Sequence, residues 1–401
     1  MNASAPSTND RHGERGIVSL LAVVGMSIVL LMLIVGLSIV EVSARSIVGQ
    51  LKYQGQAANV ARAGTTNALV WLQQQPTQPV TSFAPQRNLL ATPPLNDTDN
   101  ATLGIVRTFP ISGLGNVWGR YEVRRPNVLD VSVQRGKVGA GTIWQFDAYG
   151  LVFVDRNGNG SMDFTDANAN GVFDWGETGE VVAMKKVRAE AQRLSVVLPA
   201  GNAALQGYTC SAIGLTSGAA TNRVLGSSSG TGIACRTGTG SPAYTGANVT
   251  GVPVSSTSVN PYNDSIPSIF GVSQNELATL ANYNVPDVTG LPATLPGMSL
   301  IVIQGDATFT TARPLVGSGI LVVLGNLTIP AGSSFSGVIY VTGTYSQLGP
   351  SLVSGAVVGH STITMTGGSD ITEVDWDATI VQQVRNALGG YRLSRTEYAI
   401  P

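Results

Sequence analysis

The residues best suited to chemistry run from Asp155 to Glu177. Read as a twelve-residue loop, Asp155, Asn157, Asn159, Asp163 and Asp166 put side-chain oxygens at positions one, three, five, nine and twelve. Gly160 stands at position six and Ser161 offers its carbonyl at seven. The register repeats eleven residues on with Asp166, Asn168, Asn170, Asp174 and Glu177, Gly171 at six and the Val172 carbonyl at seven, so Asp166 closes the first loop and opens the second. Calcium takes six to eight hard oxygens at about 2.3–2.6 Å, and a tightly wound loop aims alternate residues inward where glycine permits the turn. The spacing therefore predicts calcium as cofactor, at an affinity on the order of 10⁻⁴ M or weaker because few donors are carboxylates. Only Glu177 has the reach of a bidentate closing ligand. The alternative is an Asn/Gly-rich solvated turn that binds nothing.

Such loops need rigid flanks. Residues 142–154 and 180–187 alternate as strands, not as amphipathic helices, which places the loops at the tip of a β-hairpin. The loops resemble dockerin-type or thrombospondin type 3 loops and not a helix-loop-helix sensor. Residues 119–123 and 131–133 add strands, so 76–200 is predicted as an antiparallel β domain with a calcium-loop hairpin.

Ahead of it, Ile17 to Val40 carries no charge over twenty-four residues. As a helix rising ~1.5 Å per residue, it covers about 36 Å, enough for a hydrocarbon core of about 30 Å. The helical pattern continues past Arg45, Lys52 and Arg62 to Gln75, and Pro76 and Pro79 stop it. Within it Ile47, Leu51, Ala58, Ala61, Ala68 and Leu72 form an apolar stripe suited to packing on a sheet.

This layout resembles the type IV pilin class, and within it the PilX-type minor pilins and pilus assembly proteins. The matching residues are a polar leader, 1–16, ending in Gly16, and then Ile17-Val18-Ser19-Leu20-Leu21. Leu21 departs from the glutamate that most pilins carry five residues after the cut. The resemblance implies processing between Gly16 and Ile17 by a prepilin peptidase, insertion of Ile17 to Val40 in the inner membrane, and other pilin subunits as partners of a helix spanning 17–75. An uncut signal anchor is the other reading.

Composition fits an exported chain. Charged residues are 12% of the total, against ~25% in ordinary soluble domains. With a net charge of -1 there is no electrostatic footprint for nucleic acid. Cys210 and Cys235 favour a disulfide in an oxidising compartment; two unpaired buried thiols are the alternative. These features point to a single-pass membrane location with the bulk extracytoplasmic, or to a pilus fibre.

Residues 201–296 read as a Gly/Ser/Thr-rich insert of surface loops pinned by the cysteines. The Gly226-Ser228-Gly230 match to a nucleophile elbow lies in low-complexity sequence, where such matches are frequent; an elbow needs a strand before it, a helix after it and a histidine, and His360 reads as a strand residue. In 297–401, Gly319, Gly337 and Gly355 recur every eighteen residues, each opening an apolar strand. Units of that size bury their apolar side only by stacking, which predicts a short β-solenoid, with a β-sandwich as the alternative. A helix capped by Asp377 then closes its open end. This ending, with its final Tyr391-Arg392, also resembles the C-terminal portion of PilX-like proteins.

The predicted class is α+β: a long transmembrane, pilin-like helix, the antiparallel domain, and the solenoid with its terminal helix. The predicted function is non-enzymatic, a calcium-stabilised, membrane-inserted minor pilin or pilus assembly protein. The alternatives are an anchored calcium-binding adhesin, its surface ligand unspecified, and a polysaccharide-active β-helix enzyme.

Overall fold

The computed structural model describes residues 11–137, 139–200, 202–238, 240–258 and 261–399; within 11–47 it gives side chains only at 26, 27, 29–35 and 37. Most of the regular structure is β, and the largest sheet is parallel. This corrects the expected α+β class with a transmembrane helix: among the described residues, no helix is long and apolar enough to cross a membrane.

Helix α1 runs Arg11–Gln74. Its last five turns bury Ala57, Val60, Ala61, Thr65, Ala68, Trp71 and Leu72, a stripe at three- and four-residue spacing. The stripe is turned from the predicted one: Leu51 is exposed, Val60 and Trp71 take part, and the Ile47 side chain lies outside the described residues. Beyond the helix end, the Gln78 amide donates to the carbonyls of Leu72 and Gln75, satisfying two groups that the helix leaves without partners.

The stripe packs on an antiparallel sheet built from β1 (Gly104–Pro110), β2 (Val117–Asp130), β3 (Ile143–Val154), β4 (Val181–Leu194) and β5 (Gly390–Ala399). The order across the sheet is β5-β4-β3-β2-β1. Gly150 in β3 lets the helix approach, because a Cβ there would strike the Ala57 carbonyl and the Ala61 nitrogen. Trp144, Phe146, Ala148 and Val152 face α1, while Tyr149 and Leu151 face the other way. Both faces of β3 are thus covered, and its sequence is apolar almost throughout.

Between β4 and β5 the chain makes a long excursion into stacked parallel coils. Along one wall the strands lie in the order Ser255–Thr257, Ile233–Thr237, Leu205–Thr209, Ser351–Gly359, Ser333–Val341, Val316–Val323, Ser299–Ile303 and Tyr283–Val285. A second wall carries Ile213–Gly214, Ile363–Thr366, Tyr345–Leu348, Leu327–Ile329 and Ala307–Thr308. Ile301, Leu321, Ile339, Val357 and Leu205 stand in one register row and fill the space between the walls. The neighbouring row, Leu300, Ile320, Val338 and Ala356, faces outward under the helices α2 (Ile266–Phe270), α3 (Gln274–Leu280) and α4 (Ala378–Ala387). Burial on both faces explains the unbroken apolar runs of this wall.

Three placements differ from expectation. Residues 201–296 are not a set of surface loops, since Leu205–Thr209 pairs in parallel with Ser351–Gly359 and so continues the same stack. Helix α4, whose Asp377 cap accepts N–H groups from Thr379 and Ile380, lies along the flank of the stack against Tyr340 and Val358, not across an open end. Residues 390–399 belong to the antiparallel sheet.

Candidate functional site

β3 and β4 pair from Ile143↔Gln192 to Phe153↔Val181, and the connection between them holds both oxygen-lined loops. The loops lie back over the sheet face opposite α1. Phe164 and Phe173 meet edge to face at 5.8 Å and pack with Tyr149, Leu151 and Met184. Hydrophobic burial, together with the oxygen pattern, fixes where the loops sit.

The two loops repeat most of each other's bonds; the Gly158 N–H to Asp155, at 2.8 Å, has no counterpart in the second. In the first, Asp155 is buried and its carboxylate accepts N–H groups from Asn159 at 3.2 Å and Gly160 at 2.8 Å; in the second, Asp166 accepts from Asn170 at 3.1 Å and Gly171 at 2.7 Å. Asn157 and Asn168 accept from the nitrogens two residues on, both at 3.1 Å. Asn159 and Asn170 accept from Ser161 at 2.7 Å and Val172 at 2.9 Å. Asp163 receives the amides of Asn157 and Asn159, and Asp174 those of Asn168 and Asn170. Gly160 and Gly171 hold positive φ, +69° and +77°, where a side chain would be strained.

The donor set is hard oxygen from Asp, Asn and backbone carbonyls, the chemistry that suits calcium and not zinc. Among the described residues, no group of three or more His, Cys, Asp or Glu side chains converges as a metal set. The loops draw on Asn and carbonyl oxygens as much as on carboxylates.

The second loop is fastened to the sheet by residues that sequence spacing does not reveal. Arg124 is almost fully buried; it binds Glu122 at 2.9 Å, Asp174 at 3.2 Å and the Phe173 carbonyl at 2.8 Å, and it stacks over the Tyr149 ring at 4.2 Å. Hydrogen bonding from Asn168, joined by Asn170 and Arg124 and opposed by burial, holds the Asp174 carboxyl below its ordinary range. Glu180, outside both twelve-residue frames, is drawn to the mouth of the first loop. A second acidic residue three positions after Glu177 was the only hint of it.

Cys210 and Cys235 are bonded to each other with Cα atoms 5.3 Å apart, joining adjacent coils. Ser228 is exposed, and His360 stands edge-on to Tyr340 with Nε2 3.0 Å from the Asp264 carbonyl. Gly16 and Ile17 fall within α1, but their side chains, like most between Ile17 and Val40, lie outside the described residues, as does 1–10 of the leader. Those described in that stretch include Val29, Leu30, Leu31, Met32, Leu33, Ile34 and Val35, all exposed. No protein-family model matches the chain, and neither a curated protein nor a solved structure shows significant similarity to it.

Proposed function

We propose that this chain is a structural subunit of a type IV pilus-like assembly, in which exposed apolar residues of α1 pack against neighbouring copies and calcium stiffens the loops on the antiparallel sheet. One observation carries the reading: α1 changes character along its length. From Ala57 onward it buries a single stripe on the sheet, whereas Val29 to Val35 are seven consecutive apolar residues, on every side of the helix, all exposed. Seven consecutive residues make almost two full turns, so no single face explains them. An exposed apolar surface of that kind calls for apolar partners, and like helices supply them.

In this reading Asp155, Asn157, Asn159, Asp163, Asp166, Asn168, Asn170, Asp174 and Glu177, with the Ser161 and Val172 carbonyls, are the oxygens offered to calcium. The disulfide agrees with an extracytoplasmic location.

The test is to shear surface filaments from cells producing the chain, detect it in that fraction and sequence its N-terminus. An N-terminus at Ile17 in the filament fraction is the expected result. A chain absent from that fraction with its leader intact would remove the proposal.

A further inference from the structure

We infer that Glu180, not Asp166, closes the first calcium loop, so that the two sites are separate and one is nested inside the other. The inference rests on the calcium reading above and assigns its ligands.

Two carboxylates occupy matching places in the two loops. In the second loop Glu177 accepts the N–H of Ala167, at position two, at 2.9 Å, and that of Asp174, at position nine, at 2.8 Å. In the first loop the residues at positions two and nine are Arg156 and Asp163. Their N–H groups go to Glu180, at 3.0 Å on Oε1 and 3.4 Å on Oε2. Glu180 therefore stands to the first loop as Glu177 stands to the second. Each oxygen of an ionised carboxylate has two acceptor positions, so one N–H apiece leaves both glutamates able to offer a lone pair from each oxygen.

Asp166 has no such place in the first loop. Its oxygens take the N–H groups of Asn170 and Gly171, the bonds that Asp155 makes to Asn159 and Gly160. Both residues fill position one of their own loops.

The backbone shows how a residue so far along the chain reaches the first loop. Thr165 donates to the Thr178 carbonyl at 2.8 Å, Glu180 donates to the Asp163 carbonyl at 3.0 Å, and Phe164 and Gly179 form an antiparallel bridge. These contacts make a neck of paired backbone. Residues 166–177 form a lobe beyond the neck, and Glu180 emerges below it beside Asp163. The first site is then Asp155, Asn157, Asn159, the Ser161 carbonyl, Asp163 and Glu180. The second is Asp166, Asn168, Asn170, the Val172 carbonyl, Asp174 and Glu177. Each draws on three carboxylates, which do not converge without the ion and which binding would have to bring together, and none is shared.

Terbium titration of the full chain separates the two arrangements, because each loop has its own sensitiser. Trp175 lies within the second loop, and the Trp118 ring comes within 3.3 Å of where a Cβ on Gly160 would sit. The wild-type chain is expected to take two ions. Glu180→Gln should keep one, reported by Trp175, with the first site weakened on the order of tenfold or more. Asp166→Asn should also keep one, reported by Trp118. Glu180→Asp, which preserves charge and neck but shortens the reach, should weaken the first site alone and serves if the glutamine variant does not fold. Loss of both ions in Asp166→Asn, or two undiminished sites in Glu180→Gln, overturns the assignment. If the wild-type chain takes up no ion, the calcium reading itself falls and this assignment with it.

Discussion

Leu194, the last residue of β4, pairs with Gly390, the first residue of β5. The chain thus leaves the antiparallel sheet and re-enters it at one point, and the parallel coils are an excursion whose two ends meet. Insertions of this kind are tolerated where chain ends lie close together. Here the consequence is that β5, from the far end of the sequence, completes the sheet that carries the loops.

Tyr391 is the residue that fastens this return. Its ring is fully buried among the side chains under α1, its hydroxyl accepts the Val80 N–H at 2.9 Å and donates to the Gly141 carbonyl, and its own carbonyl accepts the Gln73 amide. Tyr391→Phe should cost about 1–3 kcal/mol by leaving the Val80 N–H without its partner. Tyr391→Ala should cost about 3–5 kcal/mol, because a large cavity is added. Urea unfolding of both variants tests the order; equal losses would show that the hydroxyl contributes and the ring does not.

Gly337 makes a sharper prediction for the coils. It sits at φ +154° between Gly319 and Gly355 in register, and a Cβ there would strike the Gly319 carbonyl oxygen. Since the obstacle is backbone, no side-chain rotation relieves it. Gly337→Ala should destabilise the stack by on the order of 3 kcal/mol or more. Alanine at Gly332, which has positive φ but open space, should cost only about 1–2 kcal/mol. Thermal melting of the two variants compares crowding with conformation alone.

The eighteen-residue repeat was legible because Gly319, Gly337 and Gly355 are rigid requirements of stacking, restated in three successive coils. The strands within 201–296 were not. Leu205–Thr209 and Asn222–Leu225 are short and mostly polar, and the apolar residues they send inward, Leu205 and Val224, have too few neighbours in sequence to show a period. On one edge each pairs with a short strand some 25–28 positions away, and on the other with residues more than a hundred positions away. Loop spacing likewise revealed the oxygens at fixed offsets and missed Glu180, because the intervening lobe breaks the count. The uncharged N-terminal run points to a class led by one helix, whereas many short parallel strands, each with little signal of its own, set the architecture.

The disulfide supports those weakly specified coils. Cys235 lies on the strand paired to Leu205–Thr209, and the bridge closes a loop of 25 residues' separation. Replacing both cysteines by serine should lower stability by about 3.5 kcal/mol in the chain-entropy model. Denaturant unfolding with and without reductant measures it; no difference would show that stacking alone holds this end.

Arg124 ties the second loop to the sheet, and its removal should be felt in both. Arg124→Met leaves the fully buried Glu122 with Arg120 alone, at 2.6 Å. The expected cost is about 3 kcal/mol, since a buried carboxylate loses one of its two counter-charges. Adding Glu122→Gln should recover part of that loss. A double-variant loss equal to the sum of the single ones would show that the two do not interact.

The contact between the coils and the antiparallel sheet should weaken in acid. Lys137, between β2 and β3, meets Glu276 of α3 at 2.5 Å, and Glu276 also accepts the Ser273 N–H that begins the helix. Burial alone would raise the Glu276 carboxyl; the Lys137 ammonium, then the Ser273 N–H and hydroxyl, outweigh it and hold the carboxyl at about 2, below its ordinary 4.5. A carboxyl depressed in the folded chain contributes its full stabilisation above the unfolded value and loses it as pH falls toward the folded one. The contribution should therefore be constant above about pH 4.5 and disappear progressively between pH 4.5 and 2. Glu276→Gln removes the titration, so the melting temperatures of wild type and variant should converge on acidification across that window. Curves that stay parallel from pH 5 to pH 2 would show that the Lys137–Glu276 pair does not fasten the two parts together.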